Sequence, residues 1–107
     1  MTPGFDVGAT PAVAKRLEKG LPQAIAPAWG QLLERLRRDP RFVRPDKRQI
    51  WSKAFADIPN HRHADLPRAW RACWTIRTVA GGRPERVTVV FLGTHKQYDR
   101  LYGFSTS

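Results

Sequence analysis

Residues 70–92, WRACWTIRTVAGGRPERVTVVFL, decide the fold. Trp70, Ala72, Trp74 and Ile76 alternate with Arg71, Cys73, Thr75 and Arg77. A period of two makes a half-buried β-strand. One of its faces is apolar and the other is polar and cationic. Ala80-Gly81-Gly82-Arg83-Pro84 reads as a turn, and Arg86 to Leu92 as the next strand. That second run is more continuously apolar, which places it nearer the middle of a sheet. A short Gly-Gly turn joins antiparallel neighbours. An earlier strand around His61 to Asp65 is expected to pair with the first.

Upstream the period changes. Thr10-Pro11 starts a helix: Thr caps it, and Pro in the first turn lacks a donor that is not needed there. Val13, Ala14 and Leu17 form its apolar face and Gly20 closes it. Ile25, Ala28, Trp29, Leu32, Leu33 and Leu36 then recur at helical spacing, starting from Pro22 or Pro27 and ending at Asp39-Pro40. Glu34 and Arg38 are set for an i,i+4 pair. A basic linker follows, with a short helix expected near Lys47 to Phe55. The leading MTPGFDVGATP has neither the charged start nor the apolar run of a signal peptide, and residues 1–9 read as a flexible leader.

Downstream, GTHKQYDRLYGF (Gly93 to Phe104) reads as a helix over His95 to Leu101 capped by Thr94. Gly103 falls where a left-handed residue is wanted, and Phe104 can fold back on the last turn. His95 and Tyr98 stand one turn apart, as do Tyr98 and Tyr102. Tyr98, Leu101 and Tyr102 cannot all face a core. His95 and Lys96 occupy a first turn, where backbone N–H groups favour an anion. The order is α-α-linker-β-β-β-α. It describes one α+β domain over residues 1–107: a small antiparallel sheet with an N-terminal helical hairpin on one face and a short C-terminal helix.

The chain's 107 residues fit one domain, and 41% apolar residues can fill its core. Nothing approaches a membrane-spanning run. Nineteen Lys plus Arg against nine Asp plus Glu give a formal charge of +10, a field that favours polyanions. The excess is local: Arg35, Arg37, Arg38, Arg41, Arg44, Lys47, Arg48 and Lys53 face only Asp39 and Asp46. A charge run is also what a solvated surface looks like, and both readings stand. Aromatics beside cations suit RNA, whose unpaired bases stack. Cys73 is the single cysteine, so no internal disulfide forms; it reads as a buried structural thiol in a cytoplasmic protein. His61 and His63 share a strand face, but no spacing completes a metal site, and no cofactor is implied.

Two segments together resemble the RelE/ParE superfamily of small bacterial toxins. NHRHADLPRAWRACWTI (Asn60 to Ile76) is similar to its short strand, Leu-Pro turn and aromatic-Arg strand. LGTHKQYDRLYGF is similar to the end of one branch, with its His-Lys-x-Tyr pattern and closing aromatic-Gly-aromatic. The resemblance covers Pro59 to Phe104, and the helices only by pattern. It implies a RelE-like fold, in which a basic groove lies on the sheet and a helical hairpin behind it. It also implies the toxin of a type II toxin–antitoxin system: a metal-independent endoribonuclease that cuts mRNA, in many members on the ribosome, arrests translation and is held by an acidic antitoxin. Members of the ParE branch instead poison gyrase without cutting, so a non-catalytic binder or a basic nucleic-acid-binding module is the alternative.

RNA cleavage of this kind needs a base for the 2′-OH, a clamp for the phosphorane and an acid for the leaving oxygen. Arg71 matches the family's strand Arg, and alternation puts it on the open face as a phosphate clamp. An imidazole titrates near neutral pH, which makes His95 the candidate acid or base. Lys96 is a candidate charge stabiliser, and Tyr98 a candidate for proton sharing or stacking. Arg62, Arg77, Lys53, His63 and Tyr102 are candidate RNA contacts. Trp70 and Trp74 read as core. HRHAD stands where the strongest RNA cutters of the family carry several Lys and Arg, or a Glu.

Overall fold

A computed structural model describes residues 5–44, 61–77 and 86–102. Among them the order is β1 (Asp6–Ala9), α1 (Pro11–Lys19), α2 (Ala26–Arg38), β2 (Arg62–Leu66), β3 (Trp70–Arg77), β4 (Arg86–Thr94) and α3 (His95–Tyr102). The expected helix over 47–55, the 80–84 turn and the Gly103-Phe104 closure lie outside the described residues. No described helix is long and apolar enough to cross a membrane.

α1 starts where the sequence placed it. Thr10 Oγ1 accepts the Val13 N–H, and Gly20, at φ 91°, donates its N–H to the Leu17 carbonyl. α2 takes Pro27, not Pro22, in its first turn. Glu34 pairs with Arg37 at 3.2 Å, three residues on, instead of with Arg38.

The sheet runs β1-β4-β3-β2. β2–β3 and β3–β4 are antiparallel, as expected, but β1 lies parallel to β4, so the sheet is mixed. This corrects the expectation of an antiparallel sheet behind a loose leader. Apart from Val7, Asp-Val-Gly-Ala has little strand propensity of its own. Its partners impose the strand: Asp6 to Ala9 pair with Arg86 to Val89, Phe5 N–H donates to the Arg37 carbonyl, and Thr10 N–H to that of Val89.

A β-bulge sets the two faces. Cys73 pairs with Phe91 but Trp74 with Val89, so Val90 is an extra residue on β4. Val87, Val89 and Leu92 therefore join Trp70, Ala72, Trp74 and Ile76 in packing against Val13 of α1, Ile25, and Trp29, Leu32 and Leu36 of α2. Val90 and Phe91 instead join Cys73 and Tyr98 in a second cluster, under α3. The face expected to stay open is thus covered at its middle: Cys73 and Thr75 are buried.

The first stretch of the basic linker is docked on the main core. Trp74 donates its indole N–H to the Pro40 carbonyl at 2.9 Å, and Phe42 stacks on the Trp74 ring. Arg35 lies over Phe42 at 4.3 Å. Arg62 Nε donates to the Val43 carbonyl at 2.9 Å. These contacts bring the polar edge of the segment to partners, as a buried indole and guanidinium require.

Candidate active site

β2 and β3 are joined by a tight turn, Pro67 to Trp70, with the Trp70 N–H on the Pro67 carbonyl. Its two central residues, Arg68 (φ 55°) and Ala69 (φ 59°), both have positive φ, the pattern of a type I′ turn. Neither is Gly, so each is strained there. The turn has a second use: the Ala69 carbonyl accepts the His95 N–H at 2.7 Å, fixing the start of α3.

That start is also held by a capping box. Thr94 Oγ1 accepts the Gln97 N–H at 3.1 Å, and Gln97 Oε1 accepts the Thr94 N–H at 2.9 Å. Gly93 makes room for it, since a Cβ there would meet Gln97 Oε1 at 2.5 Å and the Phe91 ring at 3.0 Å. His95 and Gln97 therefore direct their N–H groups to protein acceptors, which leaves less for an anion at this helix start than the sequence suggests.

The turn fixes the register so that Leu66 faces Trp70 and Asp65 faces Arg71. Asp65 Oδ1 accepts from Arg71 Nε at 2.9 Å, and the same oxygen lies 3.2 Å from His95 Nε2. Arg71 and His95 thus flank a single point. Arg71 rests on the Tyr98 ring, its guanidinium carbon 4.6 Å from the centroid. Tyr98 in turn meets Phe91 edge-on at 5.8 Å.

The electrostatics follow from these contacts. Partial burial pushes the Asp65 carboxyl up. The hydrogen bond and charge of Arg71, and then those of His95, outweigh it and hold the group below its ordinary 3.8. Partial burial likewise works against the Arg71 charge. Asp65, and then Tyr98, more than offset it and raise the guanidinium further. Asp65 is therefore ionised, has no proton to give, and accepts both bonds.

Of the residues singled out from sequence, Arg71 and His95 come together. Tyr98 lies beneath Arg71, only 3% exposed, as a platform. Lys96 is exposed beside His95. His63 is half-buried on the Arg71 face of β2, opposite Cys73. Arg62 is a correction: it pairs with Trp74, on the opposite face, and is buried against Val43. Arg77 shares the Arg71 face but lies six residues along the strand, roughly 20 Å away, opposite Arg86. Lys53 and the side chain of Tyr102 lie outside the described residues.

Asp65 was missed. Hairpin arithmetic reveals it: a three-residue connection, Pro67 to Ala69, sets Leu66 against Trp70 and so Asp65 against Arg71. Among the described residues no group of three or more His, Cys, Asp or Glu could hold a metal. No family model matches the chain, and no curated protein or solved structure matches it.

Proposed function

We propose that the chain is a RelE-like endoribonuclease, the toxin of a toxin–antitoxin pair, which cuts mRNA by attack of a 2′-OH on the adjacent phosphate. The observation that carries this reading is the convergence of Arg71 and His95 on one oxygen. A permanent cation and an imidazole able to take up and release a proton, this close together, suit a phosphodiester. Arg71 holds the phosphate and the charge that grows on it. His95 moves the proton, and Lys96 adds positive charge at the rim. The 2′-oxygen bonds to phosphorus as the bond to the 5′-oxygen breaks, leaving a 2′,3′-cyclic phosphate and a 5′-hydroxyl. The surplus of +10 draws RNA in and suits an acidic antitoxin.

One observation favours a non-catalytic binder instead. Asp65 already balances the Arg71 charge, as it would in a purely structural ion pair. Induced expression followed by mapping of 5′-hydroxyl ends in cellular RNA separates the two. The nuclease reading expects new ends and growth arrest with the wild type. It expects a loss of about 10²-fold or more in Arg71→Ala and His95→Ala, with the fold kept. Full arrest by the double variant, or arrest without new RNA ends, sinks it.

A further inference from the structure

The arrangement around Asp65 Oδ1 is asymmetric. Its two donors are better anchored: Arg71 is only 19% exposed and lies on Tyr98, and the His95 backbone, whose ring is 40% exposed, is held by the Ala69 carbonyl next to the capping box. The acceptor faces water, 62% exposed on the edge strand β2. Asp65 engages Arg71 through Nε. A phosphate brings more oxygens than one carboxylate atom and can engage the remaining donors of the guanidinium as well. We propose, resting on the reading of this cluster as a phosphate site, that Asp65 Oδ1 occupies the seat of a phosphate oxygen and that Asp65 is the built-in competitor a substrate phosphodiester displaces.

The consequence is a threshold on affinity. While Asp65 is seated, the charge of Arg71 is matched, and stray anions meet little attraction at the one place where cleavage would occur. The rest of a strongly basic surface can hold RNA without committing it to reaction. If the carboxylate is seated about nine-tenths of the time, the apparent affinity for phosphate falls about tenfold.

The test is titration of inorganic phosphate into isotope-labelled wild type, Asp65→Asn and Asp99→Asn, following the side-chain signals of Arg71 Nε and the His95 ring. Asp99 lies on α3, four residues beyond His95, and has no contact with Arg71 or His95 among those described. Its variant controls for net charge. The expected result is binding about tenfold tighter in Asp65→Asn than in wild type, and about unchanged in Asp99→Asn. In the wild type, saturating phosphate should also shift the Asp65 carboxyl signal as its ion pair opens, a readout that does not depend on any variant folding. Equal gains in the two variants, no gain in Asp65→Asn, or a still Asp65 signal at saturation each overturn the proposal. RNA cleavage by wild type alongside any of these leaves the nuclease reading standing. Tight phosphate binding by Asp65→Asn, with no RNA cut by either protein, leaves the seat and removes the nuclease.

Discussion

Tyr98 shows how differently one residue reads in sequence and in space. In sequence it is a hydroxyl one turn from His95. In the fold it is the ring under Arg71 and the lid on Cys73 and Phe91. Tyr98→Phe is therefore expected to keep most of any cleavage activity. Tyr98→Ala removes a buried ring and should cost about 3 kcal/mol or more, read by urea denaturation. Asp65 carries a pH signature. Its folded carboxyl titrates below its ordinary 3.8, so as pH falls the unfolded chain takes up that proton first. Its contribution to stability is complete above the ordinary value and disappears as pH falls through the lowered one. The stability gap between wild type and Asp65→Asn should close as pH falls below about 5. A gap that widens there contradicts the ion pair. Arg71 and His95 were legible because alternation and imidazole chemistry are local properties. Asp65 and Arg62 were not, because both depend on which residues the hairpin sets opposite each other. One position of register separates a site residue from a core one.

At the scale of elements, the tight turn before β3 carries two strained residues and holds the first amide of α3. Arg68→Asn with Ala69→Gly installs the residues this turn conformation prefers. It should raise stability by about 1 kcal/mol, seen as a higher denaturation midpoint, with His95 still in place. A lower midpoint would show that the two positive-φ residues are held by contacts worth more than their strain. Helices α1, α2 and α3 were readable from caps and apolar spacing, and β3 from its alternation. β1 was not, since Gly8 and Ala9 carry no strand preference and the pairing that defines them lies 80 positions away in sequence. The β4 bulge was equally hidden. Val89, Val90 and Phe91 look alike as apolar residues, and only the packing of α3 against one side separates them.

For the whole molecule, the class of fold followed from periodicity, whereas the mixed sheet and the covered middle of its second face did not. That cover divides the cations of β3 into two sites. Arg77 is too far from Arg71 to touch the same phosphate. On the nuclease reading proposed above, Arg77→Ala should weaken RNA binding slightly and lower the slope of log affinity against log salt by about 0.7, the share of one phosphate on a single strand. The turnover of bound RNA should stay unchanged. A drop in turnover matching that of Arg71→Ala would mean that the two cations act on one bond.

Cys73 gives the assembly an internal clock. It is the chain's only thiol, wholly buried beside Tyr98 and Phe91. Among the described residues α3 covers it through Tyr98, so a swing of α3 off the sheet opens its sulfur to a labelling reagent, and His95 travels with α3. The rate at which this atom reacts in native buffer therefore counts how often Arg71 and His95 come apart, with no RNA in the tube.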